Sequence, residues 1–198
     1  MNVKLQGLVN GASWIEATYG PPALAKVLRA CSPAVRERYV SAIAMNWHPL
    51  DEFLEFVTVA DRVLGSGDGA VVEALGAAGA RANMKSVMLR FVFYISKPDF
   101  LMRRIAGMWS QFNDEGTMEL LSVEPMRLVV RVSGVPELPP AFVRVLTGWA
   151  RVVTGAVSAG HPMTRILSYV EKGEGASCVW ELSWTKTAPE GPGGKTRA

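Results

Sequence analysis

Met126-Arg127-Leu128-Val129-Val130-Arg131-Val132 and Cys178-Val179-Trp180-Glu181-Leu182-Ser183-Trp184 are the stretches whose reading decides the fold. In the first, Met126, Leu128, Val130 and Val132 point one way from an extended chain, and Arg127 and Arg131 point the other. In the second, Cys178, Trp180, Leu182 and Trp184 share a face, opposite Glu181 and Ser183. Successive side chains of a strand project to opposite faces, so this alternation predicts half-buried strands of an antiparallel sheet. Two further alternating stretches complete the pattern. Thr117–Val123 joins the first through Glu124-Pro125 as a hairpin, and Thr164–Glu171 joins the second through Lys172-Gly173-Glu174-Gly175. Between the pairs, a loop with Pro136, Pro139 and Pro140 leads into a helix from about Ala141 to Val157. Phe142, Leu146, Trp149, Val153 and Ala156 form its apolar face, and Arg144, Thr147, Arg151 and Thr154 the opposite one.

Upstream of the strands the spacing is helical. Leu8 to about Ala30 reads as two helices broken at Gly20-Pro21-Pro22, since Gly ends helices and Pro suits the first helical position. Ser32, as N-cap, and Pro33 open a helix predicted to run through Met45. A further helix spans about Pro49 to Leu64, with Leu50, Phe53, Leu54, Val57 and Val63 as its stripe. After the Gly65-Ser66-Gly67-Asp68-Gly69 turn, a long helix is predicted from Ala70 to Ile95. Its Gly76 and Gly79 weaken it by about 1 kcal/mol each relative to Ala, which points to the close approach of a neighbouring backbone. Pro98-Asp99 opens a further helix to about Phe112. Residues 1–186 read as one domain, and 187–198, rich in Pro, Gly and Lys without apolar anchors, as a disordered tail.

Composition narrows the function classes. Hydrophobic residues make up 49% of the 198, enough for a substantial core. The formal net charge of +3, with basic residues interspersed among acids, does not form a nucleic-acid footprint. Cys31 and Cys178 make neither a disulfide framework nor a zinc spacing, and His48 and His161 add little to a metal site. No secretory pattern opens the chain, and charges break every apolar stretch before a membrane span's ~20 residues. A cytoplasmic protein with reduced thiols and no membrane span is the expectation.

The candidate chemistries are weak. Gly65, Gly67 and Gly69 precede a helix, but Ala70 stands where a dinucleotide fingerprint needs its third glycine, and no strand leads into the turn. The turn therefore reads as a helix-to-helix linker. His48, in Trp47-His48-Pro49, lacks a local nucleophile signature and reads as a surface-turn histidine; His161 lies in a second turn. Cys178 shares the Trp180 face and reads as a small buried hydrophobe, since reactivity needs exposure and a lowered pKa. The six Trp and nine Met admit two readings: core, or the lining of an apolar pocket between helices and sheet. The pocket candidates are Met88, Phe91, Met108, Trp109, Trp149 and Trp180. No catalytic residue, metal ligand or cofactor-binding residue is assigned, and no cofactor is expected.

The chain from Gly76 to Trp184 resembles an uncharacterised family of bacterial paralogues best represented in myxobacteria. The resemblance rests on Ser96-Lys97-Pro98-Asp99-Phe100-Leu101-Met102-Arg103-Arg104, Met108-Trp109, the Phe112 turn, Gly148-Trp149, Lys172-Gly173-Glu174 and Cys178–Trp184. Tyr19-Gly20 and Trp47-His48-Pro49-Leu50 also fit. That family is similar, at a distance, to the 4-vinyl reductase domain, the heme–nitric-oxide-binding domain and the small TRAPP vesicle-tethering subunits. Two departures bear on function. Tyr169 stands at the nearest equivalent of a cysteine that 4-vinyl reductase relatives pair with the one matching Cys178. The Tyr-x-Ser-x-Arg signature of heme-binding relatives is missing.

These readings together predict an α+β fold: N-terminal helices packed on one face of an antiparallel sheet of about four strands, with a helix between the two strand pairs. The resemblance implies a non-enzymatic regulatory or sensory domain that binds a small apolar ligand, a protein partner or both. The alternatives are a TRAPP-like structural adaptor and an enzyme accessory resembling 4-vinyl reductase. The apolar helices between Pro49 and Phe112, where Val92, Phe93 and Tyr94 widen the Phe91 stripe, predict a homodimer or a paralogue or other protein partner.

Overall fold

The computed structural model describes residues 1–84, 107, 109–157 and 161–185. In chain order these form β1 (Asn2–Lys4), α1 (Gln6–Tyr19), α2 (Pro21–Ala30), α3 (Pro33–Val40), β2 (Trp47–Pro49), α4 (Leu50–Leu64) and α5 (Ala70–Met84). Then follow α6 (Trp109–Phe112), β3 (Thr117–Glu124), β4 (Arg127–Ser133), α7 (Pro140–Val157), β5 (Pro162–Val170) and β6 (Ser177–Trp184). The fold is α+β, with the predicted helix between two antiparallel strand pairs. The remainder of the predicted Ala70–Ile95 helix, most of the Pro98–Phe112 helix and the tail lie outside the described residues.

The four-stranded sheet has the order β3-β4-β6-β5 and is antiparallel throughout. The two hairpins therefore join along β4 and β6. Leu128↔Leu182, Val130↔Trp180 and Val132↔Cys178 face each other in register, and all six are buried. This is the inward face that the alternation predicted. On the outer face, Arg127 Nε donates to Glu181 at 2.6 Å, and Arg131 reaches Glu119. Such solvent-screened pairs add little to stability. Both outer strands carry a bulge, β3 between Leu120 and Ser122 and β5 between Ile166 and Ser168. β5 has no buried residue, because the sheet ends there.

Two N-terminal features depart from the sequence reading. α3 stops at Val40 rather than Met45. Residues beyond it are used differently: the Asn46 and Ala44 carbonyls accept from Leu5 N and Gln6 N at 2.9 and 2.8 Å, satisfying amides at the start of α1. The chain then enters β2, which pairs with β1 as a two-stranded sheet. The apolar side of α4 is also covered rather than free, with Phe53, Phe56, Val57, Val59 and Ala60 all buried. Large exposed apolar side chains instead cluster on the 40–47 stretch and on β5, where Met163, Ile166, Leu167 and Val170 stand out.

The Gly65–Gly69 turn is a helix-to-helix linker. Asp61, at 4% exposure, accepts from Gly69 N at 2.9 Å and from Val71 N at 3.0 Å. The start of α5 is thus capped by the chain's own carboxylate. Further along α5, a Cβ on Gly76 would sit 2.0 Å from the Val145 carbonyl oxygen, and one on Gly148 of α7 2.0 Å from that of Glu73. The two helices cross backbone to backbone, and an Arg151–Glu73 ion pair flanks the crossing. Gly79, one turn on, would place a Cβ with nothing within 4 Å among the described residues.

The two predicted helix-weakening glycines therefore have opposite consequences. Gly148→Ala and Gly76→Ala should each destabilise by at least about 1–3 kcal/mol through overpacking against backbone. Gly79→Ala should stabilise by up to about 1 kcal/mol through helix propensity. Urea unfolding midpoints check the ordering; equal midpoints for Gly148→Ala and the parent would mean the helices do not cross there.

Candidate functional site

Beside the crossing of α5 and α7, the described residues enclose a cavity. The cavity, about 180 Å³ in volume, is walled by α1, α5, α6, α7, β1, Phe53 of α4 and Met118 of β3. Aromatic side chains dominate its sides: Trp109 and Phe112 from α6, Phe142 and Trp149 from α7, and Phe53. Aliphatic surface from Leu75, Ala80, Val145, Leu146 and Val153 completes the apolar wall. Gly79 forms part of it because it has no side chain to fill the gap.

The polar groups are few and mostly neutral. Gln6 and Asn10 project from α1 one turn apart, and Asn10 Nδ2 donates to Asn83 Oδ1 of α5 at 3.4 Å. Asn113, buried beneath them, donates to the Trp109 carbonyl. Lys4 is the one titratable side chain among the described lining residues, and its ammonium is engaged elsewhere. It donates to the Met45 carbonyl at 2.7 Å and lies 3.7 Å from the centroid of the Trp47 ring. Such a site can strip water from an apolar body and offer it amide hydrogen bonds. Among the described lining residues, no carboxylate, imidazole, hydroxyl or thiol is placed for acid–base or nucleophilic work.

Of the six pocket candidates, the structure places Trp109 and Trp149 in this cavity. Trp109 is buried, its Nε1 donating to the Glu115 carbonyl at 2.9 Å and its ring tilted against Phe142. Trp149 is half-buried rather than packed solid, which departs from its reading as a core residue of the amphipathic helix. Trp180 is buried under α7, with Nε1 donating to Thr147 Oγ1 at 2.9 Å, and borders a second, much smaller void of about 20 Å³. Met118, Leu146 and Trp149 line both spaces and form the partition between them. Met88, Phe91 and Met108 lie outside the described residues. The sequence reading missed the α1 contribution; its signal was Asn10 interrupting the otherwise apolar Leu8–Ala12 run.

The other candidates are structural. Burial pushes the Cys178 thiol up to about 12 and that of Cys31 up to about 11, so both stay protonated and inert. His161 is exposed in its turn. His48 is a correction: it is 1% exposed, not at the surface. It sits in β2 opposite Val3 and edge-on to Phe53. Its Nδ1 is 3.7 Å from Glu52, beyond hydrogen-bond reach, and neither ring nitrogen has a partner among the described residues. Glu52 is bound instead by Arg38 of α3.

Burial holds the His48 pKa below its ordinary 6.5, against the opposing pull of Glu52 and with some help from Arg38; Asp51 is the remaining nearby charge. A base that is neutral in the fold gains its proton on unfolding, so stability falls as pH drops below about 6.5 toward the folded value. Glu52, held below its ordinary 4.5 by Arg38, adds a further loss only at lower pH. Thermal midpoints measured from pH 7 to pH 5 should decline, and His48→Leu should flatten that segment. A parent profile already flat over the range would refute the buried neutral imidazole.

No model of a known protein family matches the sequence, and no curated protein matches it. Solved structures do match in fold. An Fe(II) unliganded H-NOX protein from K. algicida superposes with a TM-score of 0.67 at 7% identity, covering 93% of this chain and 97% of that one. A structure from a study of heme distortion in the H-NOX family gives 0.68 at 9% identity, covering 96% and 99%. An oxygen-binding H-NOX domain related to soluble guanylate cyclases gives 0.65 at 7% identity, covering 94% and 97%. At these identities the likeness is one of fold, and this chain has the fold of those H-NOX domains.

Proposed function

We propose that this chain is a non-enzymatic sensory or regulatory domain whose cavity takes a small, largely apolar molecule. The observation that carries the reading is the cavity of about 180 Å³ with an aromatic and aliphatic wall. Well-formed apolar pockets with a few convergent polar groups are where ligands bind, and natural cores are otherwise packed nearly solid.

The H-NOX neighbours are described with heme and iron, and the residues here do not fit that group. Among the described residues lining the cavity there is no His, Cys or Tyr to serve as an axial ligand. His48, Cys31 and Cys178 are buried elsewhere, and the stretch 85–108 contains no His or Cys, with Tyr94 its one residue of that set. The resemblance to heme–nitric-oxide-binding domains thus supports the architecture and a sensory role, with a different occupant. A 4-vinyl reductase-like accessory role has no support from the lining.

Native mass spectrometry of protein purified from its own host tests this reading. A retained small molecule is expected, and Gly79→Leu should abolish retention while leaving the unfolding midpoint unchanged or higher, because it fills the cavity and removes a helical glycine. Retention that survives Gly79→Leu would place the ligand elsewhere.

One observation favours the adaptor as a second reading. The edge strand β5 exposes Met163, Ile166, Leu167 and Val170 beside a ladder unpaired among the described residues, a surface suited to a second copy, a paralogue or another protein partner. Sedimentation velocity at micromolar concentration should then give a dimer that Ile166→Glu dissociates. A parent protein that runs as a monomer removes self-pairing from consideration.

A further inference from the structure

We infer that the cavity selects an uncharged, single-ring compound carrying one hydroxyl, carbonyl or amide group. This rests on the ligand-binding reading above and adds the chemistry of the occupant, which follows from three properties of the wall.

Size comes first. A dry cavity of about 150 Å³ accepts benzene, and the space here is about 180 Å³. By that comparison the described space takes one ring and leaves room for a small substituent. Lining chemistry agrees: five aromatic rings, Trp109, Phe112, Phe142, Trp149 and Phe53, contribute from three helices, which suits an aromatic occupant better than a flexible chain.

Charge comes second. The only ionised side chain on the described wall, Lys4, is committed to Met45 and Trp47. A carboxylate or ammonium entering this space would be desolvated without a counter-ion, a penalty that apolar contact does not offset. The occupant is therefore neutral.

Polarity comes third and makes the selection specific. The wall is not uniformly apolar: Asn10 and Asn83 meet on it, and Gln6 lies one turn before Asn10 on α1. The Asn10–Asn83 hydrogen bond is long at 3.4 Å. Whichever way the two amides are turned, one bond between them leaves an unused acceptor on one and unused donors on the other. Among the described residues these find no further partner, and Gln6 has none. A hydroxyl or amide head, which both donates and accepts, completes this set, whereas a hydrocarbon leaves it unpaired.

Four probes of matched size separate the possibilities by isothermal titration of the full chain: benzyl alcohol, toluene, benzoate and benzylammonium. Benzyl alcohol should bind about fivefold or more tightly than toluene, the worth of one net hydrogen bond, and the two ions should not bind measurably. In Asn83→Leu, toluene should retain its affinity while the preference for benzyl alcohol disappears; Asn10→Val provides the same comparison if Asn83→Leu folds poorly. Equal binding of toluene and benzyl alcohol to the parent would overturn the inference and leave the cavity as a purely apolar site. Tightest binding of benzoate would overturn it in favour of an anion site at Lys4. Failure of all four probes, toluene included, would remove the ligand-binding reading itself.

Discussion

The backbone contact between Gly76 and Gly148 sets the geometry on which the rest depends. A helix pair normally stands 8–10 Å apart, its side chains filling the groove between. Here the absent Cβ atoms bring α5 against α7 so closely that either carbon would collide with a carbonyl of the other helix. α7 also lies on the sheet, with Leu146 and Trp149 reaching the inner faces of β4 and β6. One contact thus fixes the helical layer relative to the strands. It also frames the void: Gly76 and Gly79 of α5 and Val145, Leu146 and Trp149 of α7 line it beside the contact, and Gly79 adds no side chain to fill it.

Much of the sheet was legible because its physics is local. The alternation of Leu128, Val130 and Val132 and of Cys178, Trp180, Leu182 and Trp184 reports a buried face directly, and the two turns fix the hairpins. Gly76 was legible too, since a glycine inside a helix needs a reason. The cavity was not, because its wall draws on residues from Val3 to Val153 that no window contains. Nor were β1 and β2, each only three residues long: a period-two signal needs more length than that. His48 was misplaced for the same reason, since Trp47-His48-Pro49 carries turn chemistry and only its partner strand buries it.

Two buried polar groups in the helical half resolve the problem of burial in opposite ways. Asp61 keeps its place by accepting two backbone amides from the turn that follows its helix. Its carboxylate occupies the position at which a glycine-rich loop would otherwise attract an external anion, so the loop's likeness to a phosphate cradle is satisfied internally. His48 has no such partner and is accommodated by remaining uncharged. Polar groups at the cavity follow neither course: the amides of α1 and α5 are uncharged yet incompletely paired, which is why they have recognition chemistry to offer.

The bulges on β3 and β5 bear on how the sheet's edges behave toward other molecules. A continuous run of outward amides and carbonyls is what allows one sheet to extend into another, and propagation demands that both edges provide it. Each outer strand here breaks that run near its middle, by a residue out of step at Leu121 and at Leu167. Stacking of copy upon copy through both edges would meet a mismatch at every joint. Contact at one edge can still form and close on itself, with side-chain fit rather than backbone pairing deciding which molecule is accepted.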